Sequence, residues 1–185
     1  MKHFYETICS PQQTMFNFQD VYEDAIKQSR QNGILIEVGS WIGQSIAFLA
    51  VEAINSQKNL TVISIDAFIG NAHNGNEITT YPQLDLFRKN LEPIWKDLIV
   101  IKSLSHLGAS YFLDNTIDFV FIDADHSLDA VRRDLNCWWP KICVGGTMAG
   151  HDFSHPPVKQ AIDEFCEKLN KKYIVRGNCW VLRKD

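Results

Sequence analysis

The sequence predicts an α/β domain built on a mostly parallel sheet, and three observations carry that expectation. From Gln19 onward, short apolar runs rich in branched residues alternate with amphipathic stretches of helical period, as strands do when they cross over through helices. The stretch ILIEVGSWIGQSIAFL, residues 34–49, passes from one pattern to the other across Gly39 and Gly43. Later, YIVRGNCWVLRK has two short runs around Arg176, Gly177 and Asn178, which predicts a hairpin closing the sheet with antiparallel strands. At 185 residues the chain is most simply one domain, because domains commonly hold about 100 to 200 residues.

The elements follow in order. An opening helix over residues 19–31 places Val21, Tyr22, Ala25 and Ile26 on one side and stops near Gly33. GILIEVG has the unbroken apolar character of a strand buried on both faces. Ile42, Ile46, Leu49, Ala50 and Ala53 then recur at helical spacing, so the glycines occupy a tight strand-to-helix turn. Such a turn offers backbone N–H groups, at the positive end of a helix dipole, to an anionic part of a ligand.

LTVISID (60–66) and LIVIKS (98–103) are the second and third strands. Between them, AFIGNAHNGNEITTYPQ (67–83) is the one long irregular segment, suited either to a loop beside a site or to a solvated connection. TIDFVFID (116–123) is the fourth strand. Ser127 is the expected N-cap of the next helix, with Asp129 in its first turn and Leu128, Val131, Leu135 and Trp138 on its buried face. Trp138 and Trp139 end that helix, where one suits the core and the other the surface. GTMAGHD (146–152), after a Gly145-Gly146 turn, is the fifth strand, and a helix starting at Pro156-Pro157 buries Val158, Ile162, Phe165 and Leu169.

Composition narrows the function. Hydrophobic residues make up 45% and charged residues 22%, as in an ordinary globular protein. A net charge of −4 and a pI near 5.8 provide no basic footprint, so nucleic acid and anionic membrane are disfavoured and a small molecule is the expected partner. Cys9, Cys137, Cys143, Cys166 and Cys179 form no CxxC pair, which predicts reduced structural thiols rather than a disulfide framework or zinc cluster. No apolar run approaches the roughly 18 residues of a membrane span and the first ten residues lack a signal-peptide core, so a cytoplasmic location is expected.

In an open parallel sheet, ligands bind outside the carboxyl ends of the strands near a topological switch point. Polar residues at those ends are Gly39 with its turn, Asp66, Ser103 and Ser105, then Asp123, Asp125 and His126, then His151 and Asp152. A dinucleotide fingerprint from Gly39 requires glycine where Trp41 and Gln44 stand, which weakens a nicotinamide oxidoreductase, and no GKS or GKT follows to make a P-loop. A carboxylate ending strand two, here Asp66, can accept both hydroxyls of a ribose.

EVGSWIGQS, the acid of ISIDAF and the block IDFVFIDADHSLDAVRRDLNCWWPKICVGGTMAGHDF resemble class I S-adenosylmethionine (SAM)-dependent methyltransferases. The similarity is to the small bacterial group that includes cephalosporin-hydroxylase-like and macrocin-type sugar O-methyltransferases, over residues 33–165. It implies a Rossmann-like three-layer sandwich with a seven-stranded, mostly parallel sheet and an antiparallel C-terminal strand. It also implies that Glu37, Gly39, Ser40, Gly43 and Ser45 hold the amino-acid end of SAM, Asp66 the ribose, and Ser105 the adenine region, with Asp123 in the same cofactor site.

Methyl transfer to oxygen needs in-line positioning and the removal of one proton. A divalent cation, magnesium or manganese, would serve by lowering the pKa of the hydroxyl, with Asp123, His151 and Asp152 as expected ligands. Catechol-type O-methyltransferases, a related group, have an acidic-amide pair where this chain has His151-Asp152. That departure either suits manganese, iron or zinc better than magnesium or leaves the histidine outside the ligand set. The other device is a base: His126 stands three residues after Asp123, where the catechol-type enzymes have a lysine. Bland readings remain beside these, a strand-end carboxylate for Asp123 and a helix cap for His126. His106 and His155 read as surface residues, and His73 as a solvated loop residue.

The expectation is thus a SAM-dependent O-methyltransferase of a small hydroxylated metabolite, with a SAM-binding or degenerate module lacking transfer activity as the alternative. Specificity for the acceptor is expected in the first 20 residues, the 67–83 loop and a second subunit of a homodimer. Gly39→Val is expected to abolish cofactor binding in a folded protein, on the view that SAM approaches the backbone there.

Overall fold

The structure, a computed structural model, describes residues 1–8, 16–69 and 83–185. Cys9, His73 and most of the 67–83 segment lie outside the described residues. The parallel strands are β1 (Ile34–Val38), β2 (Thr61–Asp66), β3 (Leu98–Lys102), β4 (Ile117–Ile122) and β5 (Ile142–Gly150). β6 (Ile174–Arg176) and β7 (Cys179–Arg183) complete one seven-stranded sheet in the order β3-β2-β1-β4-β5-β7-β6. β7 runs antiparallel to both β5 and β6, so the expected hairpin is present and its second strand inserts beside β5.

The helices are α1 (Gln19–Gln28), α2 (Gln44–Asn55), α3 (Gln83–Asn90), α4 (Ser105–Gly108), α5 (Leu128–Trp138) and α6 (Pro156–Leu169). Strand side chains alternate between two cores because successive residues point to opposite faces. In β4, Phe119 and Phe121 join Leu35 and residues of α1, α2 and α3, while Ile117, Val120 and Ile122 join Ile36, Val38 and residues of α5 and α6. Three layers result. The register pairs Ile36 with Ile63 on one side and with Val120 on the other, which places β1 between β2 and β4.

Some boundaries differ from the expected ones for local reasons. α1 stops at Gln28 because Ser29 turns extended (ψ 145°) and its hydroxyl donates back to the Ala25 carbonyl at 2.7 Å. β5 begins at Ile142, before the predicted Gly145-Gly146 turn, which is instead an irregularity inside the strand. Ile142 pairs with Ile117 and Thr147 with Phe119, so extra residues bulge between them, with Gly145 at φ +81°. Trp138 is fully buried, and Trp139 is half-buried against Phe165 with the Lys184 ammonium over its ring, so neither is an exposed helix end. The four described cysteines are free thiols: Cys143, Cys166 and Cys179 buried, Cys137 half-buried. Among the described residues no helix is long and apolar enough to cross a membrane.

Candidate active site at the carboxyl ends of the strands

The sheet order reverses between β1 and β4, and the crevice opens there. β1 ends on Gly39, whose φ is +88°. A Cβ built on Gly39 would lie 2.0 Å from the Asp123 carbonyl oxygen. The chain's own close approach of two strand ends therefore already requires the glycine, before any cofactor is considered. Gly43 (φ +94°) precedes α2, and a Cβ there would press on the Leu91 side chain at 3.0 Å.

Glu37 is 1% exposed, beneath this turn. Its Oε2 accepts the Tyr22 hydroxyl at 2.5 Å and its Oε1 the Ser45 hydroxyl at 3.0 Å. Burial pushes its pKa up to about 7, against the lowering effect of these bonds. Ser40 is buried as well, its hydroxyl paired with that of Ser64 at 2.8 Å. Glu37, Ser40 and Ser45 thus brace the turn from below. Tyr22 was legible in the sequence only as part of an apolar helix face, since nothing in its spacing points to its hydroxyl.

Asp66 ends β2 half-buried. Its Oδ2 accepts the Trp41 N–H at 2.9 Å and its Oδ1 the Phe68 N–H at 2.6 Å, and burial holds its pKa above the usual value. The Ser40 N–H bonds the same carboxylate, which stands at the strand end where a ribose would be held. Ser105 begins α4 after β3, but its hydroxyl accepts the Trp138 indole N–H at 3.0 Å and also bonds Asp134, so it ties α4 to α5. Asp134 itself, buried on α5, has its pKa pushed up to about 6 by desolvation.

Asp123, His126 and Asp152 converge after β4 and β5. His126 Nε2 is 3.3 Å from Asp123 Oδ1 and 3.0 Å from Asp152 Oδ2, and ligand atoms of all three residues lie within 4.8 Å of one another. The bond to Asp123 raises the His126 pKa, followed by the charges of Asp123 and Asp152. Such spacing suits a divalent cation, because neighbouring ligands about 2.1 Å from a metal lie roughly 3 Å apart. A donor set with one imidazole favours manganese, iron or zinc over magnesium.

His151 is displaced from the expected ligand set by His126. It is 6% exposed, packs its ring 5.1 Å from Phe18, and turns Nδ1 to Asp152 Oδ1 at 3.3 Å. Its Nε2 is buried with no hydrogen-bond partner among the described residues. Asp152, whose backbone is left-handed (φ +53°), thus meets His151 through Oδ1 and His126 through Oδ2. Asn178, on the turn between β6 and β7, donates to the same Oδ1 at 3.2 Å while its own oxygens accept the N–H groups of Phe153 and Ser154 at 2.9 and 2.8 Å. The sequence marks Asn178 as a turn residue and gives no sign of this second role. Ser127 holds the N-cap position of α5 without a capping side-chain bond, and its N–H goes to Asp125 at 2.8 Å. His155 is exposed at the start of α6, its ring 6.2 Å from that of His126.

Known proteins agree with this architecture. NovP, described as an O-methyltransferase, superposes with a TM-score of 0.67 at 16% identity, over 98% of this chain and 88% of its own. Precorrin-6y C5,15-methyltransferase from Geobacter metallireducens gives 0.69 at 13% identity over the whole of both chains. The S-adenosylhomocysteine (SAH)-bound methyltransferase PaMTH1 of Podospora anserina gives 0.64 at 10% identity, over 90% of this chain and 77% of its own. No curated protein sequence matches. A family model described as a methyltransferase domain matches residues 36–153, well over half of the sequence and every strand end described above from β1 to β5. The chain belongs to this methyltransferase domain family.

Proposed function

We propose that the protein transfers the methyl group of SAM to a hydroxyl of a small metabolite, of sugar or natural-product type. The observation that carries this reading is the meeting of Asp123, His126 and Asp152 at the same carboxyl end of the sheet as the strand-end carboxylate Asp66, across the switch point. The C–S bond of the sulfonium breaks as the acceptor oxygen bonds to the methyl carbon, and the hydroxyl proton must leave. His126 Nε2 is the base placed to take it, with Asp123 and Asp152 stabilising the imidazolium that forms. Asp66 holds the ribose, and the turn braced by Glu37 lies under the amino-acid end.

A second reading is favoured by the same three residues: they would hold a divalent cation, which lowers the pKa of the acceptor hydroxyl. The base and the cation exclude each other at His126, so they can be separated. SAH is titrated calorimetrically into the protein with EDTA, then with Mn²⁺ or Mg²⁺ and a catechol or sugar probe. Micromolar SAH binding, about −8 kcal/mol, supports the cofactor assignment. A second heat that requires Mn²⁺ favours the cation, and turnover that survives EDTA favours His126. Absence of SAH binding under every condition overturns the proposal in favour of a module without transfer activity.

A further inference from the structure

We propose, independently of the SAM reading, that the protein binds a phosphate group, free or carried by a metabolite, in a cavity at the amino ends of the strands between the end of α1 and the bulged stretch of β5. The cavity encloses about 140 Å³, room for a group well beyond a single water. It lies at the opposite end of the sheet from Asp66 and the Asp123–His126–Asp152 cluster. One wall is the irregular part of β5. Gly145 stands there at φ +81°, and a Cβ on it would meet no atom within 4 Å, so the bulge leaves open space beside the strand.

The fold brings four polar side chains to that space. Thr147 of β5 stands opposite Arg183 of β7 in the antiparallel ladder, so the two side chains share a face. It is also the face of Ala149, which belongs to the same core as Ala25 of α1. Gln28 ends α1, and its Oε1 accepts Arg183 Nη1 at 2.7 Å. Arg30 follows two residues later, with its Nε and Nη2 on Asp118.

What these residues leave unpaired identifies the ligand. The Asp118 carboxylate accepts two bonds from the Arg30 guanidinium and one each from the N–H groups of Arg30 and Ile34, which fills its lone pairs. The donors are not used up. Arg30 Nη1, Arg183 Nε and Nη2, and Gln28 Nε2 have no acceptor among the described residues. The Thr147 hydroxyl has no partner there either, although Thr147 is only 7% exposed and buried hydroxyls are rarely left unpaired. One cavity is thus lined by spare donors from four residues, with two guanidiniums against one saturated carboxylate. A carboxylate ligand has two oxygens, which a single guanidinium fork would occupy. A phosphate has three strong acceptor oxygens and can engage guanidinium, amide and hydroxyl together.

The test is calorimetric titration of inorganic phosphate, glycerol 3-phosphate and acetate into wild type, Thr147→Val, Arg183→Gln and a control, Arg132→Gln, which is no part of the cavity. Constant ionic strength removes the general response of surface charge to salt. Wild type should show saturable one-site binding of phosphate. Arg183→Gln should bind at least tenfold more weakly and Thr147→Val at least fivefold, while Arg132→Gln binds as wild type does. Without ligand, Thr147→Val should melt no lower than wild type, because it loses only an unpaired hydroxyl. Tighter binding of glycerol 3-phosphate than of inorganic phosphate assigns the group to a metabolite, and the reverse to the free anion. Absence of saturable phosphate binding in wild type overturns the proposal, and so does wild-type affinity in Thr147→Val and Arg183→Gln. Acetate binding as tightly as phosphate overturns the choice of phosphate over carboxylate. A lowered melting temperature in Thr147→Val also counts against the site, by showing that the hydroxyl serves the fold.

Discussion

The two ends of the parallel sheet are built on opposite principles. At the amino ends three charged side chains are each held by several fixed partners. Asp118, at the start of β4, accepts the Arg30 N–H at 3.0 Å, the Arg30 guanidinium at 2.8 and 3.0 Å, and the Ile34 N–H at 3.1 Å. Lys58 Nζ donates to the carbonyls of Ile26, Lys27 and Ser29, closing the end of α1, and Lys184 Nζ to those of Trp139 and Ile142. The non-glycine residues with positive φ at this end are Asn32, Gln57, Asn59, Asn115 and Asn170, mostly the type that tolerates it.

At the carboxyl ends two aspartates crowd one histidine, a glutamate is buried on hydroxyls alone, and the left-handed residues are Trp41, Phe68 and Asp152. For these charges and for the backbone, local preferences are satisfied at one end and overridden at the other. The overridden end is the one that carries the Asp123–His126–Asp152 cluster.

Four substitutions probe that contrast in stability, from the largest effect to the smallest. Gly39→Val forces a Cβ into the Asp123 carbonyl at a left-handed position, so the loss should reach about 4 kcal/mol. Urea unfolding should show a protein close to unfolded, unlike the folded, cofactor-free variant expected from the sequence; a wild-type midpoint would refute the close packing. Glu37 comes next. Its pKa is raised from 4.5 to about 7 on folding, so the folded state holds a proton that the unfolded state has lost. This contribution is complete below about pH 4.5 and vanishes as pH rises through 7, amounting to about 3 kcal/mol. Glu37→Gln should remove that decline, making the variant more stable than wild type at pH 8 but not at pH 4.5, as melting curves at the two values would show.

Asp118→Ala should cost about 2 kcal/mol, less than a buried pair commonly does because Arg30 is largely exposed. SAH affinity should be unaffected, since the clamp lies at the far end of the sheet; a tenfold change would mean that the two ends are coupled. The smallest effect belongs to Asp123→Asn. Removing one of two carboxylates at His126 should change stability by about 0.5 kcal/mol or less while lowering turnover about a hundredfold or more. A large loss of stability would place Asp123 among the structural groups instead.

Much of this contrast was legible in the chain, and for a definite reason. A polar residue directly after an apolar run has to emerge at a strand end, so Asp66, Asp123, Asp152 and the Gly39 turn could be placed without coordinates. The substitution of His126 for His151 in the cluster could not, because both histidines follow strand ends and the spacing does not tell which ring nitrogen meets both carboxylates. The role of Tyr22 was hidden by its own amphipathicity: the ring obeys the helical apolar period while the hydroxyl reaches a carboxylate fifteen residues away. The β5 bulge had the same character, since two glycines read equally as a turn or as an irregular strand.

The insertion of β7 beside β5 bears on the order in which the molecule becomes competent. Residues 142–150 leave the ribosome well before residues 179–183, so during synthesis β5 is temporarily an open edge and the 152–154 loop lacks the Asn178 contacts that fasten it. Until residue 178 has emerged, Asp152 lacks its contact with Asn178, so the Asp123–His126–Asp152 cluster acquires its final geometry only after the strands that flank it have been synthesised.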